Sequence, residues 1–237
     1  MKYVSLPKEP FRPLSFYLAT EDYLAQHMEG DDEEYLFMWQ VEPSVIFGRN
    51  QSLENEVNAA YCREHDIRMF RRKSGGGCVY ADRGNVMLSL VTDEQQVGFA
   101  FNRFMNMLLL VLRRMGVEAV GTSRNDVLIG TRKVSGTACY HVGSRNIVHG
   151  TLLYDTDMQH MLNAITPSKE KLQSKGVQSV RQRITLLKEH TMLSLDEVKR
   201  LIRQTLCSEK RLLTADEVAA IGRIEQHYLN DEFIHKL

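Results

Sequence analysis

Apolar side chains recur along this chain in two distinct periods. Leu14, Tyr17, Leu18, Leu24, Ala25 and Met28 fall at helical spacing, which predicts an amphipathic helix stopped by Gly30 and the acidic run after it. "YLFMWQVEPSVIFGRNQ" then predicts a strand, a Glu-Pro turn and a second strand ending in a polar loop. A short helix over residues 55–65 and a strand at 67–71 follow. "VMLSLVT" (86–92), apolar at five of its seven positions, predicts a buried strand. Phe101, Phe104, Met105, Leu108, Leu112 and Met115 return to the helical period, and Gly116 closes that helix. "NDVLIGTRKVSGTA" predicts a hairpin turning at Gly130-Thr131, and "NIVHGTLLYD" a further strand.

Beyond residue 165 the pattern weakens. "TPSKEKLQSKGVQSVRQRI" is basic and poorly periodic, read as loop with a short helix. Ser194 with Glu197, and Thr214 with Glu217, are capping boxes, so two helices start there. The expectation is a mixed α and β unit over residues 1–190, with 191–237 as a helical extension of the same domain. No repeat, low-complexity tract or linker interrupts it.

Composition narrows the classes. The 237 residues are 43% hydrophobic and 25% charged, ordinary for a globular protein. Thirty basic residues balance thirty acidic ones, so bulk charge argues for neither nucleic acid nor membrane as a partner. No stretch approaches the ~18 apolar residues of a membrane span, and the first residues lack a secretory pattern. Cys62, Cys78, Cys139 and Cys207 are scattered, which suggests reduced thiols in the cytoplasm rather than disulfides or a zinc site.

The stretch "RRKSGGGCVY" (71–80) is the candidate chemistry. Consecutive glycines let main-chain N–H groups converge on an anion, and Arg71, Arg72 and Lys73 add positive charge. From the loop alone a tight turn or bulge is the favoured reading. It is no P-loop, for no Gly-Lys-Ser/Thr follows, and it is not GxGxxG. On a strand Arg71 and Arg72 point opposite ways, and Arg72 is the one expected to face a site.

Four motifs in order, "RRKSGGGCVYADRGN", "RNDVLIGTRKVSGTA", "HGTLLYD" and "KGVQSVRQRI", together resemble the lipoate–protein ligase family. "SVIFGRNQSLENEVN" is similar to that family's strand and GRxQ loop. The resemblance implies an α+β fold like the class II aminoacyl-tRNA synthetase and biotin ligase core, with mixed sheets flanked by helices. It implies ATP, Mg²⁺ and lipoate as ligands, with lipoyl-AMP as intermediate. The acceptors would be lipoyl carrier domains of 2-oxoacid dehydrogenases or the glycine-cleavage H protein. It makes Lys133 the catalytic cation. Around the acyl-adenylate it places Arg72, Ser74, Gly75, Gly76, Gly77, Asn85, Asn125, Asp126, Ser135, Gly136, Thr137, Ala138, His149 and Gly150, with Asp126 as Mg²⁺ ligand.

His149 would be either a structural strand histidine or a wall of the lipoyl pocket, and Met87, Leu88 and Val45 would line the apolar slot. The Met-rich helix is expected to be packing. Lys169, Lys171, Lys175, Arg181 and Arg183 are either a solvated run or a carrier-docking face. Two positions depart from the family pattern: Val148 stands where many relatives have a second histidine, and Cys139-Tyr140 replaces an Ala-x-Arg continuation. The rival within the fold is an octanoyl or lipoyl transferase working through a cysteine, Cys78 or Cys139. Relatives commonly carry an accessory domain after the catalytic one. Three outcomes are therefore open: a separate accessory polypeptide as a further partner, activation of lipoate unaided, or transfer only from preformed lipoyl-AMP; the chain is expected to be a monomer.

Overall fold

The computed structural model describes residues 1–7, 12–27, 33–123, 125–166 and 183–235. Strands β1 (Lys2–Ser5), β2 (Tyr35–Trp39), β6 (Asn85–Thr92), β7 (Val120–Gly121), β8 (Asp126–Ile129), β9 (Arg132–Val142), β10 (Arg145–Leu153) and β11 (Glu209–Leu212) form one sheet in the order β11-β1-β2-β6-β10-β9-β8-β7. β1 runs parallel to β2 and β11, and the remaining neighbours are antiparallel. β3 (Ser44–Phe47) pairs with β4 (Arg68–Arg71) and β5 (Val79–Ala81) in a small second sheet.

Period-2 alternation sorts the main sheet's side chains into two cores. On β2, Tyr35, Phe37 and Trp39 join one cluster and Leu36 the other; on β6, Met87 and Val91 oppose Val86, Leu88 and Leu90. Helix α1 (Leu14–His27) covers the first face, and α4 (Val97–Arg114) with the Leu195–Leu206 helix covers the second. That two-sided cover is why "VMLSLVT" has no polar face. Truncating a side chain such as fully buried Leu36 to alanine should cost about 2–5 kcal/mol.

Several expectations change. α1 is buried from Leu14 through Ala25 on all sides, not along one stripe, because the Ala215–Tyr228 helix packs on its far side. The helix expected over 55–65 is two, α2 (Leu53–Glu56) and α3 (Ala59–Glu64), since the Asn58 side chain caps a fresh start on the Tyr61 N–H. β11 lies within the segment expected to be helical only, and Met158–Ala164 forms an unanticipated α5. Both capping boxes form. The stop at Gly30 and the basic run at Lys169, Lys171, Lys175 and Arg181 lie outside the described residues.

Candidate active site

The glycine loop bridges β4 and β5 at the end of the small sheet. Its shape comes from Arg72, whose buried guanidinium hydrogen-bonds Ser74 Oγ at 2.9 Å and the carbonyls of Ile46 at 3.0 Å, Gly75 at 2.6 Å and Gly77 at 2.7 Å. A peptide's C=O and N–H point in opposite directions, so engaging the Gly75 and Gly77 carbonyls turns the Gly76 and Cys78 N–H groups away from Arg72. Gly76, Gly77 and Cys78 form part of a cavity wall. Gly76 takes φ +91°, and its carbonyl would lie 2.5 Å from a Cβ at Gly48, so both positions need glycine. Burial lowers the Arg72 pKa to about 10, which leaves it cationic at neutral pH. Arg71 turns the other way, holding the carbonyls of Gly48, Arg49, Gln51 and Ile234.

Beneath the loop runs a polar network that the sequence patterns missed. Ser74 Oγ lies 2.7 Å from His149 Nε2, and His149 Nδ1 lies 3.0 Å from both Glu21 oxygens. Ser89 also donates to Glu21, and the Trp39 indole donates to Ser89 at 2.9 Å. The Tyr140 hydroxyl sits 3.0 Å from Glu21 and 3.0 Å from Asp22. With the Nδ1 proton given to Glu21, Nε2 accepts the Ser74 hydroxyl proton, and Ser74 accepts from Arg72. Every group is then satisfied. Glu21 and Asp22 are fully buried. The signal for them was present, as "TEDY" puts three polar residues together inside an apolar helix.

The opposite wall is the β8–β9 hairpin. Lys133 Nζ lies 2.7 Å from Asp126 Oδ1, and Arg183 holds Asp126 Oδ2 at 2.8 Å. A Cβ at Gly136 would meet Lys133 Nζ at 2.3 Å, so the glycine leaves the space across which Lys133 reaches. Thr137 Oγ1 is buried without a hydrogen-bond partner among the described residues, and Thr137 lines the cavity. Both carboxylate oxygens of Asp126 are thus engaged by cations, and Mg²⁺ would reach this carboxylate only where Lys133 withdraws from Oδ1. No cluster of three or more His, Cys, Asp or Glu side chains suited to a metal occurs among the described residues.

The cavity between these walls has a volume of about 390 Å³, within the small-molecule range. It brings together Arg72, Gly76, Gly77, Asp126, Lys133, Gly136, Thr137, Ala138, His149 and Gly150. Ser74, Gly75, Asn85, Asn125 and Ser135 are not on the wall. Ser74 is a buried pin, its hydroxyl committed to His149 and Arg72 rather than offered to a ligand. Asn85 is buried and ties down the Tyr80 carbonyl. Asn125 takes φ +63° at a turn, where its carbonyl receives the Thr137 N–H. Met87 lines the cavity as expected, whereas Leu88 and Val45 belong to separate cores. Trp39, Leu18, Val79 and Leu153 complete an apolar side. The Met-rich α4 is packing. Cys78 lines the wall, but Cys139 does not, and burial pushes its thiol up to about 11.

The model of the lipoyl protein ligase A/B catalytic domain matches residues 13–207. This chain belongs to that family. It is 35% identical over 218 residues to lipoate–protein ligase 1 of Staphylococcus aureus, covering 91% of this chain and 62% of that protein. It is 37% identical over 173 residues to the lipoate-protein ligase LplJ of Bacillus subtilis, covering 73% and 52%. The chain therefore spans between about half and two-thirds of these relatives' lengths. A bipartite lipoate protein ligase from Thermoplasma acidophilum superposes with a TM-score of 0.86 at 24% identity, over 100% of this chain and 96% of that one. A lipoate-protein ligase A bound with ATP superposes at 0.83 and 20% identity. These likenesses show a shared α+β fold of mixed sheets flanked by helices. Among the described residues no helix is long and apolar enough to cross a membrane.

Proposed function

We propose that this chain is an ATP-dependent lipoate–protein ligase. The carboxylate of lipoate attacks the α-phosphorus of ATP, giving lipoyl-AMP and pyrophosphate. The amine of a carrier lysine then attacks the acyl carbonyl, and AMP leaves. Both steps gather negative charge on phosphate or carbonyl oxygens, and donors fixed in advance lower both barriers.

One observation carries the proposal: Lys133 and the glycine-loop residues Gly76, Gly77 and Cys78 line one cavity from opposite walls. In this assignment the loop amides receive phosphate oxygens, and Lys133 leaves Asp126 for the acyl and phosphate oxygens. The apolar side at Leu18, Trp39, Met87 and Leu153 takes the aliphatic chain and dithiolane, and His149 closes that wall. Mg²⁺ would arrive with ATP and offset the charge on its phosphate oxygens.

The acceptor is a lipoyl carrier domain, of the 2-oxoacid dehydrogenase or glycine-cleavage H type, encountered in the cytoplasm. The Thermoplasma ligase, described together with its E2 lipoyl domain, supports that class of partner. That ligase is bipartite, which supports an accessory polypeptide for the adenylation step. The test is exchange of labelled pyrophosphate into ATP by the purified chain. Exchange that requires lipoate and disappears in Lys133→Ala supports the assignment; lipoate-independent exchange, an unaffected variant, or no exchange together with no transfer from synthetic lipoyl-AMP contradicts it.

A further inference from the structure

The mechanism leaves one buried assembly unused. Lys73 Nζ is 2.6 Å from Asp22 Oδ2, and the same oxygen accepts the Tyr228 hydroxyl at 2.8 Å. Tyr228 is 1% exposed, and Lys73 Nζ lies 5.2 Å from its ring centroid. Tyr228 belongs to the Ala215–Tyr228 helix, beyond the residues that match the family model. A second strut comes from the same segment, the Ile234 carbonyl accepting from Arg71 Nε at 3.0 Å. Both neighbours of Arg72 are thereby tied to residues 215–235.

We propose that Tyr228 is a positioning residue for the glycine loop, acting through Asp22 and Lys73. Three consecutive glycines carry the largest backbone entropy of any such run, so a loop built from them holds one shape only when its ends are fixed. Three successive side chains fix the leading end. Arg72 grips the loop carbonyls, Ser74 is held by His149, and Lys73 is held by Asp22. Asp22 can serve as a fixed anchor because the Tyr228 hydroxyl donates to its Oδ2, while the Tyr140 hydroxyl, shared with Glu21, lies 3.0 Å from its Oδ1. Removing the Tyr228 hydroxyl lets the carboxylate turn, Lys73 follows it, and the peptide leading into Ser74 loses its setting. The Gly76 and Cys78 amides then lose their aim without any change in the cavity wall itself.

The proposal rests on the ligase assignment only for its binding arm. Tyr228→Phe keeps the ring contact with Phe233, whose centroid is 5.6 Å away, and deletes one oxygen. ¹⁵N relaxation should show the order parameters of Gly75–Gly77 falling from the rigid range, about 0.85, to below about 0.6. Affinity for a non-hydrolysable lipoyl-adenylate sulfamate should fall about tenfold. Lys73→Met should do the same, and the double variant should be no worse than Lys73→Met alone, because both act along one path. Unchanged order parameters, or a lowered melting temperature with the loop and affinity intact, would overturn the proposal, as would additive effects in the double variant. If the sulfamate fails to bind the wild-type chain, the ligase assignment fails instead, and the order parameters still decide the role of Tyr228.

Discussion

Arg72→Lys is the substitution that most directly probes how the cradle is held. Arginine supplies a planar fork that here reaches Ser74, Ile46, Gly75 and Gly77 at once, from 2.6 to 3.0 Å. Lysine keeps the charge but offers three donors on one nitrogen, with a shorter reach. It can serve the near side, Ser74 and Ile46, or the loop carbonyls, but not both. Two charge-assisted hydrogen bonds are then lost, each worth about 1.5–3 kcal/mol, and solvent entering the loop returns part of that. A net loss of about 3 kcal/mol corresponds to a fall in melting temperature of about 6–12 °C for a chain of this size. The chain has one tryptophan, Trp39, and it is buried, so urea unfolding followed by its fluorescence reads the stability directly. Lipoate-dependent pyrophosphate exchange reads the function, where displaced amides should cost about 10²-fold. A stability change under about 1 kcal/mol, together with exchange within threefold of wild type, would refute the carbonyl clamp.

Four further outcomes follow from the same geometry. Lys133→Ala should fold normally by circular dichroism and lose about 10²–10³ in the transfer rate from synthetic lipoyl-AMP. Gly48→Ala should retain its fold but lose the sulfamate's affinity in calorimetry, because the new Cβ would press the Gly76 carbonyl at 2.5 Å. Glu21→Gln turns one of two buried acceptor oxygens into a donor facing Ser89, Tyr140 or His149, and chemical denaturation should show a loss of about 2–4 kcal/mol. Burial pushes the Glu217 carboxyl up, but hydrogen bonds from Thr214 and Arg211 outweigh it and hold its pKa below the ordinary range. That contribution is present above about pH 4.3 and is lost as pH falls through the folded value. Hydrogen exchange of the Ala215–Tyr228 helix should therefore accelerate in acid before that of β6 does.

The legible parts of this protein are those where one local signal decides. Short apolar runs placed β2 and β6, the helical period placed α4, and the two capping boxes, one at a serine and one at a threonine, placed the last long helices. The ordered motifs supplied ten residues that line one cavity, Lys133, Gly76 and Gly77 among them. The losses are tertiary. β11 is a short polar strand, "EKRL", made a strand only by parallel pairing with β1 two hundred residues away. Ser74 and Asn85 carry the polar types a ligand site uses, but nothing local says whether a hydroxyl or amide faces a ligand or a buried neighbour. Glu21 and Asp22 were the opposite case, visible as polar breaks in an apolar helix, with partners fixed only once β6, β9, β10 and the carboxy-terminal helix are brought around them.

The activity proposed for this cavity is acyl transfer from lipoyl-AMP to a carrier lysine. The most direct measurement is the mass of a carrier domain after incubation with the purified chain and either synthetic lipoyl-AMP or Mg·ATP with lipoate. One lipoyl adduct should form on the target lysine from lipoyl-AMP, and none with Lys133→Ala; adduct formation from ATP as well would show that adenylation needs no accessory polypeptide. No adduct from either donor, with modification from an octanoyl carrier protein through a trapped Cys78 or Cys139 thioester, would contradict it.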